Sequence, residues 1–153
     1  MPPFIGIDPG LKGYLAVLYN GGEEYALTPL PYEGSVLQAG AWLGNSFLLP
    51  EDGVITLEKQ FTKGKGMNTI LENYGALKAM LRAAGRDYDE VTPRTWKKYF
   101  GLEKQEGESD AAFKRRSVTL VEELFGITGI THDAAEAILI AEYGRRRWED
   151  RNT

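Results

Sequence analysis

Apolar residues run from Phe4 to Ile7, broken only by Gly6, and the run stops at a carboxylate, Asp8. A short apolar run closed by Pro-Gly marks a buried strand, so the pattern predicts one over Phe4–Asp8. Two further runs, Gly13–Tyr19 and Glu24–Pro29, flank Asn20-Gly21-Gly22. Asn and Gly tolerate positive φ, so the triplet predicts a hairpin turn and the three runs an antiparallel meander. Apolar spacing then predicts a helix over Val36–Leu48. "GVITLEKQ" is a β-rich run that ends in charge, and "FTKGKGMN" is a polar, Gly-containing loop. Met67, Ile70, Leu71, Tyr74, Leu77 and Leu81 recur at helical spacing. A short strand is expected over Tyr88–Thr92, and Pro93 opens a short helix, "PRTWKKYF". After the charged loop "EKQEGESD", Ser109 or Asp110 caps a helix that runs to Phe125 and ends at Gly126. Thr131 caps the last helix, over His132–Trp148.

This order predicts a single α/β domain with a five-stranded mixed sheet, three antiparallel strands followed by two parallel ones, flanked by helices. The fourth strand follows a crossover, which is right-handed as a rule, and can lie parallel beside the first. Asp8 ends the first strand and Glu58 ends "VITLE". If those strands are neighbours, the two carboxylates meet at one edge of the sheet.

Composition narrows the class. With 153 residues and 42% hydrophobic content, the chain suits one compact core. It has no cysteine, which excludes disulfides and thiolate metal sites and fits a reducing compartment. No basic segment precedes the first apolar residues, and no apolar run approaches the length of a membrane span. A soluble, cytoplasmic protein without a membrane partner is expected. The net charge of −4 argues mildly against a nucleic-acid partner, but its distribution matters more than its sum. Basic residues cluster at Lys59, Lys63 and Lys65, at Arg94, Lys97 and Lys98, at Lys114–Arg116 and at Arg145–Arg147.

The acids carry the candidate chemistry. In "THDAAEAILIAEYG", Asp133 and Glu136 are three apart and share a helix face, among alanines small enough to let that helix approach a sheet. Asp8, Glu58, Asp133 and Glu136 can therefore converge from separate segments. Close carboxylates repel unless they are protonated or bridged by cations. An all-oxygen donor set suits Mg²⁺ or Mn²⁺, and two such ions about 3.5–4 Å apart serve in-line displacement at phosphorus.

These segments resemble the RuvC family of Holliday junction resolvases, within the RNase H-like nuclease superfamily. "GIDPG" resembles the family's first-strand motif around its first catalytic Asp, here Asp8. "LEKQF" resembles the fourth-strand motif, with Glu58 as the catalytic Glu, and "HDAAEA" the terminal helix motif, with Asp133 and Glu136. "TPRTWKKYFG" resembles the Pro-x-x-(apolar)-Lys segment whose Lys contacts DNA, here Lys97, and "ESDAAFKRR" the basic helix start that follows, with Lys114. The similarity spans almost the whole chain, with the motifs in the family's order. Glu136 departs from the pattern, since many members have Asp there. Some members use His at the terminal cluster, which makes His132 an additional catalytic candidate. No motif covers Glu33–Pro50.

The resemblance implies an RNase H-like fold, a catalytic and metal-binding set of Asp8, Glu58, Asp133 and Glu136, and two Mg²⁺ or Mn²⁺ ions per site. It implies a homodimer acting on four-way junctions, with no nucleotide cofactor, leaving 3′-hydroxyl and 5′-phosphate ends. Phe61 takes the place of an aromatic that stacks on unpaired junction bases. Lys63, Lys65 and Arg94 join Lys97 and Lys114 as DNA contacts. Each signal also has a plain structural reading. "GIDPG" is a strand ending in a turn, and similar segments open actin-like ATPase domains, which need two such units. Glu58 and Glu136 read singly as solvated surface, Asp133 as a helix N-terminal acid, His132 as a capping residue, and Phe61 as a core side chain. Two functional alternatives stay open: another RNase H-like nuclease acting on RNA or other branched DNA, and a catalytically silent junction-binding module.

Overall fold

The computed structural model describes residues 1–42, 45, 47–61 and 67–153. Strands β1 (Phe4–Ile7), β2 (Tyr14–Tyr19) and β3 (Glu24–Pro29) form the expected meander, with Ile5 opposite Val17 and Leu15 opposite Thr28. Gly21 and Gly22 take the positive φ that the β2–β3 turn requires. A small hairpin follows, β4 (Tyr32–Glu33) with β5 (Val36–Leu37), then a short 3₁₀ turn at Ala39–Trp42. Strand β6 (Val54–Glu58) lies parallel to β1, and β7 (Tyr88–Val91) parallel to β6, giving the order β3-β2-β1-β6-β7. The helices are α1 (Met67–Ala83), α2 (Pro93–Tyr99), α3 (Asp110–Phe125) and α4 (His132–Asn152).

Both faces of the central strands are covered, which explains why β1 and β2 read as nearly unbroken apolar runs. Ile5, Ile7, Val17, Ile55 and Leu57 pack toward Tyr74, Leu77 and Leu81 of α1. Phe4, Ala16 and Leu18 face the other way, toward Trp96 of α2, Val121 of α3 and Ala137, Ile138 and Ala141 of α4. Small residues set the height of α4 above the sheet. A Cβ added at Gly6 would lie 2.2 Å from the Ala137 carbonyl oxygen and 2.4 Å from the Ala141 nitrogen. One added at Gly144 would lie 2.1 Å from Thr56 Oγ1. The helix therefore rests on the backbone of β1 and on Thr56 of β6, closer than side chains would allow.

The helix expected over Val36–Leu48 is not what the described residues form. Gly34 turns the chain with φ of 62°, and Asn73 of α1 captures the hairpin: its Oδ1 accepts from Leu37 N at 3.0 Å and its Nδ2 donates to Ser35 O at 2.7 Å. Leu37, Trp42 and Leu49 fill the space against α1. Gly40 and Asn45 are weak helix formers, so tertiary contacts decide the conformation of the described part, while residues 43, 44 and 46 of the expected helix lie outside the described residues. The other expected elements are present, with ends shifted by a residue or two; α4 runs four residues past its expected end. Among the described residues, no helix is long and apolar enough to cross a membrane.

Candidate active site

The register of β1 on β6 pairs Ile7 with Leu57, so Asp8 and Glu58 are the next residues along two parallel neighbours. Side chains alternate along a strand. Ile7 and Leu57 face α1, so Asp8 and Glu58 turn toward the α4 side. Both are buried. The Asp8 carboxylate is held by its own turn, with Gly10 N–H donating to Oδ1 at 3.1 Å and Asp8 N–H bonding the Tyr14 carbonyl at 3.1 Å. Glu58 Oε2 accepts from the buried Trp96 indole N–H at 2.7 Å.

Thr131 caps α4 by accepting from Ala134 N, which fixes where the helix starts and which residues face the sheet. Glu136, one turn in, is 7% exposed and comes within electrostatic reach of both Asp8 and Glu58. Asp133 also acts on Asp8, but it is half-buried and lines an open groove with Lys12, Gly13 and Pro29. Three of the four acids thus cluster in the interior, with the fourth at the rim.

Burial is the largest influence on the first two acids. It pushes Asp8 up to about 6, against the pull of the Gly10 N–H and with help from Glu136 and Asp133. It pushes Glu58 up to about 8, helped by the charge of Asp8. Burial would raise Glu136 too, but His132 and Lys97 outweigh it and hold the carboxyl below its ordinary value. Lys97 Nζ stands 2.9 Å from Glu136 Oε1, and His132 Nε2 stands 3.2 Å from the same atom. Both cationic groups therefore meet one buried oxygen of Glu136 at ion-pair distance. His132 Nδ1 lies 3.1 Å from the Lys114 carbonyl, which can only accept, so Nδ1 carries a proton and Nε2 is the nitrogen that titrates. Contact with Glu136 raises the imidazole above its ordinary value.

Among the described residues, no three Asp, Glu or His side chains close on one metal position as they stand. Lys97 provides the cationic partner of Glu136 instead. The chemistry of the donor set nevertheless fits a hard divalent cation. Two buried carboxyls are disfavoured as anions by burial and by neighbouring carboxylates, and a third, Glu136, is buried within reach of both. A cation bound by oxygen ligands would relieve that crowding of negative charge.

The expected DNA contacts divide. Arg94 and Lys114 are exposed, while Lys97 is partly covered, with Nζ 5.3 Å from the Trp96 ring and 5.8 Å from that of Phe113. Lys63 and Lys65 lie outside the described residues. Phe61 is 50% exposed and belongs to neither core cluster, with Lys59 Nζ 5.8 Å from its ring. Several basic residues have internal tasks. Arg116 donates to the carbonyls of Glu103 and Gly101, and Arg145 and Arg146 clamp the buried Glu142 at 2.6–2.7 Å. The site also contains two residues whose roles no motif indicated. Trp96 reads as an apolar helix position, although an indole carries a donor that must be satisfied when buried. Tyr32, whose hydroxyl donates to the Pro9 carbonyl beside Asp8, comes from a stretch to which the sequence assigns no element.

No family model and no curated protein matches the sequence. Among solved structures, the chain is similar to Thermus thermophilus RuvC in complex with Holliday junction substrate. The TM-score is 0.65 at 17% identity, covering 94% of this chain and 94% of that one. A second Thermus thermophilus RuvC structure gives a TM-score of 0.56 at 17% identity, covering 95% of each chain. The likeness establishes the fold: the five-stranded mixed sheet of the RuvC and RNase H-like type, flanked by helices.

Proposed function

We propose that the protein is a divalent-metal-dependent endonuclease that nicks four-way DNA junctions. The observation that carries the proposal is the gathering of Asp8, Glu58 and Glu136, from three separate elements, on the α4 side of a RuvC-like sheet, with Lys97 against them. Buried like charges cost stability. A module that only bound junctions would gain from replacing them, so the silent reading is the weaker one. The solved neighbour holding a Holliday junction favours branched DNA over RNA as the substrate class.

In this reading Asp8, Glu58, Glu136 and Asp133 hold the ions. Bound cations would supply Lewis acidity to activate water and to neutralise charge at the phosphate. The chain's own residues do the rest. The Asp8 turn and the Trp96 indole fix two carboxylates before any ligand arrives. Lys97 balances Glu136 at rest and would pair with a phosphodiester bound at the acids. His132 can hold or release a proton at Nε2 beside Glu136. Water adds to phosphorus and the bond to the 3′ oxygen breaks, giving a 3′-hydroxyl and a 5′-phosphate. Arg94, Lys98 and Lys114 would supply phosphate contacts around the cleft, so affinity should fall with salt. Phe61 would cover an unstacked base. Paired cuts call for two sites related by two-fold symmetry, hence a homodimer. The test is cleavage of a four-way junction with and without Mg²⁺, with Asp8→Asn as the variant that should bind the junction and fail to cut it.

A further inference from the structure

We infer that Trp96 is a positioning residue for the metal site: its indole N–H fixes which oxygen of Glu58 is left free for a cation. The inference rests on the metallonuclease reading and names a part of the site that the acid motifs do not contain.

The two oxygens of Glu58 have unequal surroundings. Oε2 takes the Trp96 N–H at 2.7 Å, at the short end of the N–H···O range. Oε1 has only Gln60 Nε2 at 3.5 Å, the outer limit of a hydrogen bond. An indole has one donor and no acceptor, and Trp96 is fully buried, so this contact is its sole use for the N–H. The frame behind it is stiff. Val91 of β7 lies opposite Glu58, and α2 begins two residues later, closed by the Thr92 cap and Pro93. Consecutive residues of α2 then serve two acids, Trp96 holding Glu58 and Lys97 facing Glu136. The short helix thereby ties the end of β6 to α4. An apolar side chain of similar size would fill the space but leave Oε2 without a partner and let the carboxylate rotate. Hydrogen-bond partners of metal ligands typically change metal affinity by about 10–100-fold when removed.

Three measurements on the full chain test this. Mg²⁺ affinity by calorimetry should weaken about 10–100-fold in Trp96→Phe, and that loss should vanish when Trp96→Phe is made in a Glu58→Gln background. The melting temperature, recorded separately, reports any packing defect. In ¹⁵N-labelled protein the chain gives three indole resonances, from Trp42, Trp96 and Trp148. That of Trp96 should move on Mg²⁺ addition and in Glu58→Gln while that of Trp42 stays fixed, a readout that needs no Trp variant to fold. Equal Mg²⁺ affinity in wild type and Trp96→Phe, or a Trp96 resonance indifferent to both Mg²⁺ and Glu58→Gln, overturns the inference and leaves the nuclease reading intact. A wild-type protein that takes up no Mg²⁺ overturns both.

Discussion

Gly6→Ala tests whether the seating of α4 on β1 builds the site. The added Cβ would lie 2.2 Å from the Ala137 carbonyl oxygen and 2.4 Å from the Ala141 nitrogen, both backbone atoms that cannot rotate away. Even the weakest hydrogen-bonded C···O contact needs about 3.3 Å, so α4 must retreat by roughly 1 Å. Overpacking of this kind costs about 1–3 kcal/mol. In a domain of this size that lowers the melting temperature by about 2–12 °C. The functional loss should be larger than the stability loss suggests. Ala137 directly follows Glu136, so the retreat carries Glu136 away from Asp8 and Glu58, and a 1 Å misplacement of reacting groups can cost about 10²-fold in rate. Thermal melts and Mg²⁺-dependent nicking, measured well below the melting temperature, separate the two effects. Gly75→Ala is the control: it sits in α1 with no atom within 4 Å of the added Cβ, so it should match or exceed wild-type stability by up to about 1 kcal/mol. If Gly6→Ala melts with wild type and nicks at the wild-type rate, α4 does not rest on β1 as described and the reasoning fails.

Without metal, Asp8 and Glu58 are raised in the folded state, so the fold keeps protons that the unfolded chain has already released. Their contribution to stability is complete below the ordinary carboxylate values and is lost as pH rises through about 6 and about 8. The raised imidazole of His132 works in the same direction, whereas Glu136, being lowered, contributes throughout this window. Melting temperature without metal should therefore fall between about pH 5 and 9, and Mg²⁺ should raise it most at the alkaline end; a Mg²⁺ effect equal at both ends would refute this assignment. Phe61→Ala should leave the melting temperature within about 2 °C, since the ring lies outside both cores, and should weaken cleavage by about 5- to 150-fold, the equivalent of one stacked base. A fall of many degrees would show that Phe61 supports the fold, and unchanged cleavage would remove it from the DNA interface. Light scattering at micromolar concentration should give about twice the chain mass; a monomer that still makes paired cuts would contradict the dimer.

Much of this molecule is legible in its sequence, for identifiable reasons. The Asp8–Glu58 pairing follows from two apolar runs that each end in an acid, once the crossover makes them parallel neighbours. Thr131 and the three-residue spacing locate Asp133 and Glu136 on α4, and the small residues around them announce a close approach. The illegible parts depend on contacts distant in sequence. Val36 and Leu37 join a hairpin whose backbone Asn73 satisfies, and nothing local in the apolar spacing carries that information. Trp96 and Lys97 read as one apolar and one basic helix position; only the placement of α2 between β6 and α4 turns them into partners of Glu58 and Glu136. Arg145–Arg147 read only as a basic cluster, yet Arg145 and Arg146 are committed to a buried Glu142 on their own helix.

The most direct test of the central claim is a cleavage panel of four-way junction, flap, linear duplex and RNA–DNA hybrid, each with Mg²⁺ and with chelator, using wild type and Asp8→Asn. A metal-dependent junction nuclease gives symmetric paired nicks in the four-way junction with Mg²⁺ and none with chelator, and the products carry 5′-phosphate ends. Asp8→Asn should bind that junction at least as tightly as wild type without cutting it. Cleavage that survives chelation, a preference for the RNA–DNA hybrid, or wild-type nicking by Asp8→Asn would contradict it.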